Sequence, residues 1–328
     1  MTMPASARVL IVGAGGMGQA HAAAVHSCGS TVAAVIDPDQ HRGAALAGRY
    51  GAQTFATVAE ALDGTAEADA AVVASPSHAH LAQSRELLAA GVSVLVEKPH
   101  RLPGQDPRPL HLALRDAQAR YQVGMSTRYS PGLAAIARAI HTGMMGRISY
   151  CSDAIWYTLR PGSLSPWYFA RAQSGGGVLL TNGVHALDRT AWLLAGGLRI
   201  RAARLAGTSP ADGCETAAEL MLDGPDDSMV HISLLWADVP VPASRLVVVG
   251  ERGSAVLAGD GSYQLDAGPT HLRGGPTTPQ AALVRQWRAF SSAGADPGTQ
   301  ARPGLDDLEP TLALIEQVYS QTGQCSIR

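Results

Sequence analysis

The sequence predicts an α/β chain of two domains: a parallel sheet flanked by helices over residues 1–125, then a mostly antiparallel domain over 126–328. Three observations predict it. Short apolar runs alternate with helical stretches from residue 8 to about 125, the pattern of βαβ units. A glycine-rich turn joins the first of these runs to the first helix. From about 126 onward, strand-like runs follow one another with a single helix among them.

Arg8 to Val12 is apolar and rich in branched residues, as a strand buried on both faces must be. It stops at Gly13, and Gly13, Gly15 and Gly18 follow the GxGxxG spacing, with Gly16 and Met17 inside the turn. Gly13 allows a tight turn, Gly15 lets backbone approach phosphate, and Gly18 lets a helix sit close to the sheet. The Ala-rich stretch 17–28 reads as that helix, whose N-terminal amides and dipole suit a pyrophosphate. A second strand, Thr31–Ile36, ends in Asp37. Asp37 lies near the spacing of roughly 20 residues at which a carboxylate meets the adenosine ribose hydroxyls. Strand, turn, helix, strand and acid in this order predict dinucleotide binding.

The pattern continues with a helix at 39–50, a strand at Gln53–Phe55 and a helix at 57–63. The strand 70–74 ends in Ser75-Pro76, a helix spans 78–90, and the strand 93–96 runs into Glu97-Lys98-Pro99. Functional groups in such sheets gather at the carboxyl ends of strands, where Asp37, Ser75 and Lys98 all stand. In the second domain, strands are expected at 148–155, 198–205, 216–222, 229–236, 245–249 and 255–257, with one helix around 184–194. Segment 258–279, rich in Gly, Pro and Asp, reads as loop or weak hairpin, and a closing helix is expected at 305–321.

Composition narrows the function classes. Of the 328 residues, 46% are hydrophobic and 16% charged, and the net charge of −2 offers no attraction to nucleic acid or an anionic membrane. No run approaches the ~20 apolar residues of a membrane span, and Met1 to Ala7 does not resemble a signal peptide. Cys28, Cys151, Cys214 and Cys325 are scattered without a CxxC pair, which points to reduced cytoplasmic thiols rather than a zinc site or disulfide framework. His78 and His80 mimic a metal pair only by spacing; cofactor packing or helix capping is the better expectation, and no metal is predicted.

At Glu97-Lys98-Pro99 the chain resembles the Gfo/Idh/MocA family of glucose–fructose oxidoreductases, inositol dehydrogenases and rhizopine-catabolism proteins. The likeness runs through GAGGMGQAHAAAV at 13–25, ASPSHAH at 74–80, VLVEKP at 94–99, VGMSTRYSP at 123–131 and GGGVLLTNGVHALD at 175–188. The resemblance implies a Rossmann domain followed by an α+β domain on an open, mostly antiparallel sheet. It also implies a nicotinamide cofactor and sugar, cyclitol or related substrates. By this similarity Glu97 and Lys98 border the nicotinamide, and the Lys98 ammonium stabilises negative charge developing on the reacting oxygen. His185 becomes the general acid and base, its reference pKa of ~6.5 lying near operating pH.

The chain departs from the family at one point. Relatives commonly carry Asp four residues before this histidine, one turn away on the same helix face, where this chain has Thr181. A hydroxyl orients an imidazole but does not stabilise imidazolium by charge. Asp188 is a candidate substitute partner, although the resemblance implies a structural role for the aspartate at this place, and Asn182 is a candidate substrate ligand. Arg128 is expected beside nicotinamide or substrate, against an ion-pair alternative. Trp156, Tyr157, Trp167 and Tyr168 are expected to flank the substrate, where aromatic faces stack on sugars.

The function expected is hydride transfer between nicotinamide and a hydroxyl or carbonyl carbon of a small molecule. Alternatives are a hydrolase or lyase that oxidises its substrate transiently, an imine or ketone reductase, and a non-catalytic regulator. NAD is expected over NADP, because Asp37 puts negative charge where a 2′-phosphate would lie and Arg42 is the nearest cation. A homodimer or homotetramer is expected.

Overall fold

The structure is a computed structural model and describes residues 3–4, 6–64, 67–117, 119–160, 162–208, 213–292 and 303–323. Cys325 lies outside the described residues. The chain divides into two compact units, Met1–Ser126 with Pro279–Asp306, and Thr127–Thr278 with Asp307–Arg328.

The first unit is a sheet of β1 (Arg8–Val12), β2 (Thr31–Ile36), β3 (Gln53–Phe55), β4 (Ala70–Val73), β5 (Ser93–Glu97) and β6 (Tyr121–Gly124). All neighbours are parallel, in the order β3-β2-β1-β4-β5-β6. The strand order therefore reverses between β1 and β4, the crevice where such sheets bind ligands. Helices α1 (Gly16–Ser27), α2 (Gln40–Gly48), α3 (Val58–Gly64), α4 (His80–Ala89) and α5 (Arg108–Asp116) make the crossovers. Burial on both faces explains the unbroken apolar strands, with Val9 to Val12 and Ala70 to Val73 fully enclosed.

One boundary differs from the sequence-based expectation. Helix Pro279–Ser291 (α9) belongs to the first unit, not to a continuous domain over 126–328. Its Leu283, Trp287 and Phe290 recur at helical spacing and need cover. Trp287 and Phe290 join Val9, Ile11 and Val25 in one core, and the indole N–H donates to Ser30 Oγ at 3.1 Å. Burying such an aromatic face on α1 outweighs chain order.

The second unit contains α6 (Pro131–His141), β7 (Ile148–Thr158), α7 (Arg171–Ser174) and α8 (Val184–Leu193). These are followed by β8 (Arg199–Ala206), β9 (Ala217–Asp223), β10 (Met229–Ala237), β11 (Arg245–Gly250), β12 (Gly253–Ala258), β13 (Tyr263–Ala267), β14 (Thr270–Gly274) and α10 (Leu305–Gln321). The sheet order is β14-β13-β12-β11-β7-β10-β9-β8, antiparallel except for β7 with β10. Segment 258–279 is thus a real hairpin. Helix α6 departs from the expectation of a single helix here: Ser130 Oγ accepts the Leu133 N–H at 3.2 Å and Pro131 starts the first turn.

Strand alternation turns one face of this sheet inward. Cys151, Ile155, Leu220, Leu222, Val230, Ile232, Leu246 and Val248 pack with Leu133, Ile136, Leu187 and Ile315 of the helices. The other face leaves Met221, Met229 and Val249 exposed. Among the described residues, no helix is long and apolar enough to cross a membrane.

Candidate active site

In the first unit the site begins where β1 ends. Gly13 adopts φ +98°, and its N–H donates to the Ile36 carbonyl at 2.7 Å. A Cβ there would sit 2.7 Å from Ala74 O, and one on Gly18 would sit 1.8 Å from Gly13 O. Those two glycines let turn, sheet and α1 close on one another. Gly15 and Gly16 differ, since a Cβ on either would meet nothing within 4 Å. Open space lies over the α1 N-terminus, which has no acidic residue in its first turn, and Met17 stands half-buried beside it. Unneutralised amides under open space suit a pyrophosphate.

Asp37 follows β2 and is tied to this turn. Its Oδ2 accepts the Ala14 N–H at 2.8 Å and its Oδ1 accepts the Asp39 N–H at 2.9 Å. Arg42 reaches back with Nη2 at 2.9 Å from Oδ1 and Nε at 3.2 Å from Oδ2. Burial alone pushes this carboxyl up, but the Arg42 guanidinium and the two amides hold it below the usual carboxylate range. The acid is therefore charged and oriented, with the half-exposed Arg42 as its partner on the solvent side.

Lys98 stands half-buried just past β5. Burial lowers its pKa from the ordinary value, and the neighbouring Glu97 offsets part of that. Glu97, expected beside the nicotinamide, is buried with Oε1 2.8 Å from His21 Nε2 on α1. A carboxylate enclosed this deeply needs a charged or hydrogen-bonding partner. Burial pushes Glu97 up, yet His21 and Lys98 together bring it below its ordinary value. His80, also buried, places Nδ1 2.7 Å from Pro99 O and Nε2 2.8 Å from Ser75 O, clamping the ends of β4 and β5. Ser75 Oγ donates to Gln83 Oε1 at 2.6 Å. His78 is exposed and does not cap α4, whose cap position is Ala79. No group of three or more potential metal ligands occurs among the described residues.

In the second unit, Gly175 to Gly177 lead into a helical run whose first turn, Leu179–Gly183, is π-helical and continues into α8. Such turns recur at functional sites because they re-aim side chains. Thr181, Asn182, His185 and Arg189 are half-buried, whereas Val184, Ala186, Leu187 and Asp188 are enclosed. One helix face thus carries the candidate acid–base residue with both neighbours named from the sequence. Asn182 is oriented by Trp236, whose indole N–H donates to its Oδ1 at 2.7 Å, and Phe169 meets the Trp236 ring edge-on at 6.0 Å.

Two expectations here need correction. Arg128 is buried and bidentate on Asp188, with Nε 2.8 Å from Oδ2, and Trp192 lies under its guanidinium. The ion-pair alternative therefore accounts for its place in the fold. Asp188 is equally unavailable as a substitute partner for His185. Each buried charge requires the other, so neither is released for a ligand. Next to them Arg189 forms a second bidentate pair with the buried Asp153 of β7. Tyr157, half-exposed at the end of β7, shares the parity of Asp153. Trp156 has the opposite parity and donates to Ser233 Oγ at 2.9 Å. Trp167 stacks on Tyr168 with centroids 3.9 Å apart, so part of its face is covered.

Residues 7–125 match the family described as "Oxidoreductase family, NAD-binding Rossmann fold", and residues 133–256 match the GFO/IDH/MocA C-terminal domain. The chain belongs to the Gfo/Idh/MocA family. It is 28% identical to the rhizopine catabolism protein MocA of Rhizobium meliloti over 252 residues, covering 76% of this chain and 77% of that one. It is 26% identical to inositol 2-dehydrogenase 4 of Saccharopolyspora erythraea, covering 96% and 93%. The same fold is seen in a levoglucosan dehydrogenase solved with NADH and levoglucosan, with TM-score 0.84, 17% identity and coverage of 97% and 98%.

As a Gfo/Idh/MocA oxidoreductase the chain binds NAD on its first domain, and its own geometry fits that group. Gly15 and Gly16 leave the space, α1 offers the amides, and Asp37 presents a fixed negative charge. Sequence reasoning missed His21, the buried role of His80, and the aromatic pair Phe169–Trp236. A lone histidine three residues after Gly18 carried the only signal for His21.

Proposed function

We propose that this protein transfers a hydride between NAD and a hydroxyl or carbonyl carbon of a sugar, cyclitol or related polyol. The observation that carries this is Lys98 at the carboxyl edge of β5, half-buried beside the Glu97–His21 pair, in the unit that holds the glycine turn. The names of the inositol and levoglucosan dehydrogenases support the substrate class. Bound NAD supplies or accepts the hydride at its nicotinamide ring. In this proposal Lys98 stabilises charge on the reacting oxygen, and His185 exchanges the proton of that oxygen. Thr181 orients the imidazole without charging it, which favours reduction of a carbonyl or imine over oxidation of an alcohol. Asn182, Tyr157 and Trp167 are the proposed substrate contacts. A screen of polyols and their keto forms, followed by nicotinamide absorbance, tests this. Product without net absorbance change would point instead to transient oxidation, and no product at all to a regulator.

Cofactor choice has its own test. Two unit charges about 5 Å apart in an effective dielectric of ~20 interact by about 3 kcal/mol, roughly two powers of ten in affinity. That is an upper bound here, because Arg42 offsets part of the Asp37 charge. NADH is therefore expected to bind more tightly than NADPH. Asp37→Ser should narrow that preference at least about tenfold, removing the repulsion and releasing Arg42 toward a 2′-phosphate. Fluorescence titration of both reduced cofactors measures it, and an unchanged ratio would discard the role given to Asp37.

A cytoplasmic setting belongs to the same proposal, as does a homodimer or homotetramer built on the open sheet face that exposes Met221, Met229 and Val249. Light scattering at micromolar concentration should report a multiple of the 34.0 kDa chain. A monomeric mass would contradict it.

A further inference from the structure

The start of the helix that carries His185 is held by one buried side chain. Glu215 is fully enclosed, yet its Oε1 accepts N–H groups from Gly177 at 2.9 Å and Leu179 at 3.1 Å. Its backbone carbonyl accepts the N–H of Val178 at 2.9 Å. Three consecutive amides at a helix N-terminus, which have no partners within the helix, thus converge on one residue from a distant part of the chain. Tyr319 of α10 adds its hydroxyl to the same Oε1 at 2.9 Å. Arg171 lies 3.4 Å from Oε2 and over the Tyr319 ring. The glycines before the helix are required by this packing. A Cβ on Gly177 would fall 2.0 Å from Glu215 O, and one on Gly176 would fall 1.9 Å from the Tyr319 hydroxyl.

We propose that Glu215 is a positioning residue: it fixes the first, π-helical turn after Gly177 and thereby the direction in which Thr181, Asn182 and His185 project. The inference rests on the role given to His185 above. The hold is one of reach. Burial raises the Tyr319 pKa, and Glu215 raises it further, so the phenol remains a donor at every ordinary pH. The two amides and the phenol need an acceptor oxygen at that point in space, charged or not. Glutamine places an amide oxygen there, and the quarter-exposed Arg171 can turn to solvent. Aspartate keeps the charge but withdraws its oxygens by roughly 1.5 Å, one bond length.

The test compares Glu215→Gln, Glu215→Asp and Glu215→Ala in the full chain. Hydrogen exchange of the amides between 177 and 183 is read beside kcat and the NADH dissociation constant. Exchange should quicken at least about tenfold in the Asp and Ala variants as buried donors lose their acceptor. Their kcat should fall by about tenfold or more, because small misplacements of reacting groups are costly. The Gln variant should lose clearly less than the Asp and Ala variants in both readouts, since its amide oxygen stands at the same reach and still accepts the nearest donors. NADH affinity should not move in any of them. Retention in Asp with loss in Gln, or unaltered exchange in Ala, would overturn the proposal. Should His185→Ala keep full turnover, the role of His185 fails by itself, and the exchange data still decide what Glu215 holds.

Discussion

Lys98→Ala is expected to lower turnover by about 10²–10³ while leaving NADH affinity close to that of the native protein, the cost of losing one preorganised donor at a developing oxyanion. The split follows from where the groups lie. In the proposed reading dinucleotide contacts fall to the Gly13–Gly18 turn, the α1 amides and Asp37, a set apart from the lysine side chain. In the proposed role the ammonium acts late, when charge grows on the substrate oxygen, so its loss should appear in kcat rather than in binding. Its surroundings also fix a pH signature. Burial lowers the Lys98 pKa and Glu97 restores only part of it. The cationic form is the active one, so activity is present below that pKa and lost as pH rises through it. The alkaline limb of kcat should therefore begin below the range of a free lysine, ~10.4. A profile flat to that range, or a Lys98→Ala enzyme with native turnover, would remove the lysine from the chemistry.

How much of this was legible depended on how local each constraint was. Gly13, Gly15, Gly18 and Asp37 announce themselves because turn geometry, helix approach and ribose spacing act within one βαβ unit. Helix α6 also carried a readable start, Ser130-Pro131, which the alternating strands around it obscured. Partnerships across long stretches left no trace. His21 meets Glu97 across 76 positions and Tyr319 meets Glu215 across 104. No periodicity encodes such distances. The sequence leaves Arg128 open between a ligand contact and an ion pair because its neighbours are motif residues, and its partner, Asp188, lies 60 positions away. Helix α9 reads as part of the second domain until its aromatic face is seen covered by α1.

Removing the imidazole should be as costly as removing the ammonium, or more so. His185→Ala is expected to reduce turnover by a general-acid factor of about 10²–10⁴, with NADH binding unaltered. The helix face that presents His185 also carries Thr181 one turn earlier, and the nearby carboxylates are already committed. Asp188 is bound to Arg128 and Asp153 to Arg189. In the proposed reading the imidazole draws on neither of these two carboxylates. Thr181→Ala should accordingly cost far less than His185→Ala, since it removes only a neutral hydroxyl. Thr181→Asp should raise the pKa that governs the pH–rate profile, because a new negative charge one turn away favours the protonated imidazole. It should also improve alcohol oxidation relative to carbonyl reduction, as the base that takes the proton becomes stronger. The three variants, assayed in both directions across pH, give a ranked outcome. Native turnover in His185→Ala would show that another group or water moves the proton, and the histidine would then serve substrate binding.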